Sequence, residues 1–360
     1  MKAAVCREFG KPLSVEEVEI GAPAAGEVRV GIAACAICHS DIAYLDGAWG
    51  GPLPTIFGHE AAGTVVEVGP GVTSVAPGDR VVATLVRSCG SCFYCRLGDE
   101  AMCESTFRLD REPVLWDRDG EPINQGLRSA GFAQQIVVHE SQMAAISPDV
   151  APEAAALLAC GVITGFGAVT KTARVPAGAS VAVVGTGGVG LNCIQGAAYA
   201  RAAQVIAIDL NDTKLALATT LGATNTINAA EQNADEGVRE LTEGRGVDYV
   251  FVAAGSTSAV ESSLPLLRRS GTLVVVGMPP SGQRARIDTG DLAHQGQRIL
   301  GSKMGSIDVA RDIPMLAGLY TAGELKLDEL ITATYPLEHI NEAVRSARAG
   351  ETARNVIVFG

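Results

Sequence analysis

Four cysteines, Cys89, Cys92, Cys95 and Cys103, follow the spacing C-x2-C-x2-C-x7-C. Such short spacings let one loop wrap tetrahedrally around a single ion, and four thiolates suit zinc, with Zn–S bonds of about 2.3 Å. A closed thiolate shell leaves no position for substrate, so the expected role is structural. Two disulfides or an iron–sulfur cluster could use the same residues. The cluster fits the spacing alone, whereas disulfides conflict with a reducing compartment. A second set is scattered: Cys35-Ala36-Ile37-Cys38-His39-Ser40-Asp41, then Gly58-His59-Glu60, and much later Cys160-Gly161. Cys38, His59 and Cys160 offer two thiolates and an imidazole with a fourth position open, the donor set of a catalytic zinc. Spacing alone does not select Cys160 over Cys6, Cys35 or Cys193.

A third motif handles phosphate. Gly185-Thr186-Gly187-Gly188-Val189-Gly190 is G-x-G-x-x-G, placed between a predicted strand at 180–184 and a predicted helix at 189–203. Gly185 permits the tight turn, Gly187 lets the backbone approach a pyrophosphate, and Gly190 allows close helix–strand packing. The helix N-terminus then presents free N–H groups to the phosphates. The next predicted strand, 205–209, ends in Asp209, about 20 residues past Gly190. A carboxylate there accepts from the adenosine ribose hydroxyls and repels a 2′-phosphate, which favours NAD over NADP.

The elements that must position these groups fall into two patterns. Residues 1–150 read as a barrel-like or sandwich-like β domain, with short apolar runs at 27–33, 61–68 and 80–85 separated by Gly/Pro turns. Residues 104–130 are polar and read as a long surface loop or lobe. From about 162 strand and helix alternate, with strands at 180–184, 205–209, 225–228, 248–253, 272–276 and 298–301. This pattern predicts an open, doubly wound parallel sheet. The tail from about 304 carries helical patterns and ends in a strand at 355–359, which can return to the N-terminal domain.

The 360 residues fit two or three domains. With 47% hydrophobic and 19% charged residues, the chain folds around sizeable cores; aromatics are only 4%, so aliphatic side chains and Ala must fill them. Lys and Arg total 28 against 40 Asp and Glu, a net charge of −12, with no basic patch to suggest a nucleic-acid or membrane partner. The start, MKAAVCREFG, lacks the apolar stretch of a secretory signal. The most apolar region, 179–200, is broken by glycines and reads as strand, turn and helix. The expected compartment is the cytoplasm.

Taken together and in this order, Cys38-His39-Ser40-Asp41, Gly58-His59-Glu60-Ala61-Ala62-Gly63, the four-cysteine lobe, Cys160-Gly161 and the Gly-rich turn are specific. Over almost its whole length the chain resembles the zinc-dependent alcohol dehydrogenases of the medium-chain dehydrogenase/reductase superfamily. The resemblance implies an α/β fold: a GroES-like β-barrel catalytic domain at 1–161, completed by 304–360, plus a Rossmann domain at 162–303. It implies two Zn2+ per chain. Cys38, His59 and Cys160 match the catalytic ligands, and Cys89, Cys92, Cys95 and Cys103 the structural ones. Glu60 matches a carboxylate that can approach the metal, Asp41 the acid that orients His59, and Ser40 the hydroxyl that accepts the alcohol proton. For NAD it implies His39 and Arg354 near the pyrophosphate and Thr164, Val189 and Met304 at the nicotinamide. Gly185, Gly187, Gly188 and Gly190 form the turn, with Asp209 and Lys214 at the adenosine ribose.

The implied reaction is oxidation of primary alcohols to aldehydes, and the reverse reduction. Zinc acidifies the alcohol, and the alkoxide passes hydride to nicotinamide. One position departs from the pattern: many relatives carry a His three residues after Ser40, and here Ala43 stands there. The relay must then end at cofactor hydroxyls or solvent, or use another group. Trp49, Leu85, Met278 and Met304 fall at or near substrate-facing or nicotinamide-facing positions, and Trp49 favours unbranched, allylic or benzylic alcohols. Glutathione-dependent formaldehyde dehydrogenases have a similar lobe, but Trp49 and Phe107 replace charged residues that hold glutathione, with Arg108 adjacent. A non-catalytic NAD- and zinc-binding protein is a further alternative, as is a zinc-free reductase. Cys6, Cys35 and Cys193 read as buried hydrophobes, and His139, His294 and His339 as structural or surface residues. A homodimer, formed through the edge strand near 298–301, is the expected assembly.

Overall fold

The computed structural model describes residues 1–350 and 353–360. The chain divides into two compact units, Met1–Gly161 with Asp308–Gly360, and Val162–Ile307.

The first unit is built around the strand Glu27–Ala36, whose inward residues alternate with half-exposed ones before the strand becomes fully buried at its end. It pairs antiparallel with Glu60–Val68, Gln135–His139 and Arg354–Val358. The chain's last strand therefore does enter this sheet. Val28, Val30, Ile56, Phe132 and Ile136 form the core, and the helix Ile340–Arg348 adds Ile340, Ala343 and Val344 to it. The sequence reading missed the strand Ile331–Pro336, which pairs parallel with Arg354–Val358. Its period-2 exposure is clear, but the run ITATYP is short and ends in Pro. The polar segment 104–130 is not only loop. It contains the strands Leu115–Trp116 and Pro122–Gln125, paired antiparallel.

The second unit carries a six-stranded parallel sheet in the spatial order Asn225–Asn228, Gln204–Asp209, Ser180–Val184, Val247–Val252, Leu267–Val275, Arg298–Gly301. The order reverses beside Ser180–Val184, which places a crevice at the carboxyl ends of the strands there. β-Branched runs such as Val181–Val184 and Val205–Ile208 are buried on both faces, as parallel strands require. Ala182, Ile206, Val250 and Leu273 lie in the core beneath them. One helical segment, Pro152–Thr172, is long and apolar enough to cross a membrane by length and composition, with mean hydropathy 1.6, but 89% of that window is buried within the protein. It lies outside the region, 179–200, that the sequence marked as most apolar.

Candidate metal and coenzyme sites

Three strand ends bring the scattered metal-binding types together. Glu27–Ala36 runs straight into Cys38, which precedes the helix His39–Leu45. Its last residue pairs with Glu60 on one side and Val356 on the other, so His59, Glu60 and Arg354 sit at the same end of the sheet. Cys160 arrives from the helical segment, within a π-helical turn at Leu158–Val162. Such turns break the α-helical period and occur frequently at functional sites. Donor atoms of Cys38, His59, Glu60 and Cys160, all four residues buried, lie within 4.8 Å of one another.

The donor chemistry fits a zinc ion. Asp41 is fully buried, and its Oδ2 accepts from Cys38 N at 3.0 Å. Asp41 Oδ1 accepts from Gly58 N at 3.0 Å and lies 3.0 Å from His59 Nδ1. A carboxylate only accepts, so Nδ1 donates and Nε2 is left as the ligand atom. His59 Nε2 is buried with no hydrogen-bond partner among the described residues. An orphaned buried polar atom is costly, and a cation beside it removes the cost. Burial opposes charge on His59, yet the Asp41 and Cys38 charges outweigh it and hold its pKa well above the usual value. Hydrogen bonding from Cys160 holds the Cys38 thiol well below the usual range, while that same bond and burial push Cys160 up. Burial pushes Glu60 up to about 8, against the pull of Arg354. Glu60 Oε1 accepts from Gly161 N at 3.2 Å and from Arg354 Nη2 at 3.4 Å, and Oε2 has no partner among the described residues. Arg354 is a buried neighbour of Glu60. Ser40 is half-buried and His39 exposed on the first turn of the same short helix.

Cys89, Cys92, Cys95 and Cys103 likewise place their sulfurs within 4.8 Å of one another. The Cys92–Cys103 sulfurs are 3.9 Å apart, a non-bonded separation, and all nine cysteines are free thiols. Backbone N–H groups aim at these sulfurs: Cys92 N donates to Cys89 Sγ at 3.2 Å and Cys95 N to Cys92 Sγ at 3.5 Å. That arrangement favours thiolates, and hydrogen bonds from Ser105 and Ser91 pull Cys89 down to about 5. Cys6, Cys35 and Cys193 are buried and belong to neither group.

In the second unit, Gly185 has φ +88°, and a Cβ on Gly190 would sit 1.8 Å from the Gly185 carbonyl oxygen. A Cβ on Gly187 would meet no protein atom within 4 Å. Internal packing demands glycine at Gly190 but not at Gly187, where the open side is what a phosphate would occupy. The helix Gly188–Tyr199 starts there, carrying Val189 in its first turn. Thr164 and Met304, distant in sequence, meet with the Thr164 hydroxyl 3.6 Å from Met304 Sδ. Lys214 lies in the first turn of Asp212–Thr220, which Asn211 caps.

Asp209 ends its strand as expected, but its carboxylate is engaged within the chain. Oδ2 accepts from Thr186 N at 2.6 Å and Thr186 Oγ1 at 2.9 Å; Oδ1 accepts from Leu210 N at 2.8 Å and Asn211 N at 3.2 Å. The sequence reading missed Thr186, although a hydroxyl-bearing residue in the variable second position of the turn was a signal. Arg108 is similarly engaged: its Nε and Nη2 donate to the two Glu27 carboxylate oxygens at 2.8 and 2.6 Å, and Nη1 donates to Glu112. Trp49 packs edge-on against Tyr44 at 5.1 Å, and Tyr44 stacks on Phe57 at 5.6 Å. Leu85 is half-buried, and Met278 is exposed.

Residues 24–149 match the alcohol dehydrogenase GroES-like domain, and residues 188–318 match the zinc-binding dehydrogenase family. Among solved structures, an alcohol dehydrogenase zinc-binding domain protein from Burkholderia ambifaria is 35% identical, covers 100% of this chain and 98% of its own, and has a TM-score of 0.95. Benzyl alcohol dehydrogenase from Acinetobacter calcoaceticus is 31% identical over 100% of this chain and 99% of its own, with a TM-score of 0.93. A protein assigned as a zinc-binding dehydrogenase from Sinorhizobium meliloti 1021, bound to NADP, is 28% identical over 99% of each chain, with a TM-score of 0.85. The chain belongs to the zinc-dependent alcohol dehydrogenases of the medium-chain dehydrogenase/reductase superfamily. It is an oxidoreductase of that fold class.

Proposed function

We propose that the chain oxidises primary alcohols, allylic and aromatic ones included, to aldehydes with NAD, and catalyses the reverse reduction. The observation that carries this reading is His59: one ring nitrogen is bonded to Asp41, while the other is buried beside two thiols without a hydrogen-bond partner among the described residues. Cys38, His59 and Cys160 would hold the catalytic zinc, leaving one position open for substrate, and Cys89, Cys92, Cys95 and Cys103 a structural one. Zinc so held supplies Lewis acidity, worth about 9 pKa units to a water, and NAD supplies the hydride acceptor.

The chain's own residues do the rest. Asp41 fixes the His59 tautomer and ring plane. Ser40 Oγ takes the proton from the substrate hydroxyl. Ala43, one turn later, offers no group to pass it on, so the proton leaves Ser40 through cofactor hydroxyls or solvent. Glu60, held by Gly161 N and Arg354, is a carboxylate reserve beside the three ligands. Gly187 and the following helix N-terminus receive the pyrophosphate, and Asp209 the adenosine ribose. The aromatic group Phe57–Tyr44–Trp49 supports a preference for flat or unbranched alcohols over bulky secondary ones, as does the likeness to a benzyl alcohol dehydrogenase. The bidentate Arg108–Glu27 pair removes the cation that glutathione recognition would need. A homodimer through the sheet edge at Arg298–Gly301 completes the proposal. The test is NADH formation at 340 nm with ethanol, hexanol, benzyl alcohol and 2-butanol. Turnover of the primary and benzylic alcohols supports the reading; no turnover of any alcohol, or turnover only with a glutathione adduct, contradicts it.

A further inference from the structure

We propose that Thr186 is a positioning residue for coenzyme choice, its hydroxyl clamping the Asp209 carboxylate so that a 2′-phosphorylated ribose is refused. This deepens the NAD reading above and rests on it. Thr186 is fully buried, inside the phosphate-binding turn, and its hydroxyl donates to Asp209 Oδ2 at 2.9 Å. Its backbone N–H and its hydroxyl both converge on Oδ2, while Leu210 N and Asn211 N converge on Oδ1. An ionised carboxylate offers about four lone-pair sites, and each is engaged by a donor from its own chain.

The consequence is rigidity rather than occupancy. The three backbone donors belong to the strand end and the turn and would remain with any side chain at position 186. The hydroxyl is the one donor that the side chain contributes. With it, the carboxylate cannot swing aside to make room for a second anion, so a 2′-phosphate meets a fixed negative charge. Ribose hydroxyls can still share the carboxylate lone pairs through three-centre bonds. Without the hydroxyl, Oδ2 keeps only the Thr186 N–H bond, the carboxylate gains a rotational freedom, and the penalty on the phosphate falls. Hydrogen bonds to charged groups are the strong ones, so the effect should be measurable.

The test is fluorescence titration of the zinc-loaded protein with NADH and with NADPH, which reads binding without turnover. Wild type, Thr186→Val, Thr186→Ser and Asp209→Gly are compared, with thermal midpoints measured alongside. The expected result is a preference for NADH in wild type and a fall of about tenfold in the NADPH-to-NADH Kd ratio in Thr186→Val. Thr186→Ser, which restores the donor, should keep the wild-type ratio. Wild type that binds NADPH as tightly as NADH overturns the NAD reading, and this proposal with it. If wild type prefers NADH and Asp209→Gly loses that preference while Thr186→Val retains it, the NAD reading stands and the proposal alone falls. A Ser variant that behaves like the Val variant also overturns the proposal, since the effect would then come from the lost methyl. Tighter NADH binding by Thr186→Val would mean that the hydroxyl competes with ribose, and overturns it as well.

Discussion

Asp41 Oδ1 lies 3.0 Å from His59 Nδ1, and both side chains are fully buried. The same carboxylate receives the backbone N–H groups of Cys38 and Gly58. Asp41 therefore orients one metal-binding side chain directly and braces the backbone at Cys38 and at Gly58, the residue before His59. Asp41→Asn keeps the size but replaces one acceptor oxygen with a donor, so at least one of these bonds is lost. Zinc affinity at the Cys38–His59–Cys160 site should fall by about 10- to 100-fold. Competition with a chromophoric chelator measures it; unchanged affinity would contradict the role given to Asp41.

The two glycines of the phosphate turn should separate folding from binding. A methyl group on Gly190 collides with the Gly185 carbonyl oxygen, whereas one on Gly187 meets no atom within 4 Å among the described residues beyond its chain neighbours. Gly190→Ala should cost about 1–3 kcal/mol of stability. Gly187→Ala should leave the thermal midpoint near wild type and weaken NADH binding. Differential scanning fluorimetry and NADH titration read the two effects, and a Gly187→Ala variant that binds NADH normally would contradict the phosphate assignment.

The proton path gives a kinetic prediction. With Ala43 in place of a relay group, a deprotonation-limited rate should rise with buffer concentration at fixed pH and ionic strength. Ala43→His, three residues after Ser40 on the same short helix, should weaken that dependence. Rates measured over a buffer series check it; a wild-type rate indifferent to buffer would show that the relay ends elsewhere.

The four-cysteine lobe makes a separable claim. Cys103→Ala should remove about one zinc per chain and increase proteolysis within 89–103, where the short helix Phe93–Arg96, capped by Cys92, buries none of its residues. Metal analysis and limited proteolysis test this, and full zinc content in the variant would rule out that site.

Much of this architecture is legible in the residues, for reasons that are local. Val181–Val184 and Val205–Ile208 are β-branched runs between turn residues, and a fully buried parallel strand needs little else. Cys89 to Cys103 are near neighbours in sequence, so their spacing already carries their proximity. Cys160 is different. It reaches Cys38 and His59 only because a helix from another part of the chain packs there and a π turn interrupts its period, and no spacing rule encodes that. The two short strands within 104–130 pair with each other and with Glu19–Ile20 and Thr55–Ile56 far back in the chain, the strand Ile331–Pro336 pairs with Arg354–Val358, and the composition of all three reads as loop. The engagement of Asp209 by Thr186 is a tertiary contact across the turn, invisible to a motif that leaves position 186 free.

The central claim is that Cys38, His59 and Cys160 hold a catalytic ion separate from the four-cysteine site. Zinc content, alcohol-dependent NADH formation and thermal midpoint measured together on wild type and Cys38→Ala test it most directly. About two zinc ions per wild-type chain are expected and about one in the variant, with activity abolished and the fold retained. A variant that keeps its full zinc complement, or still oxidises alcohol at the wild-type rate, would contradict it.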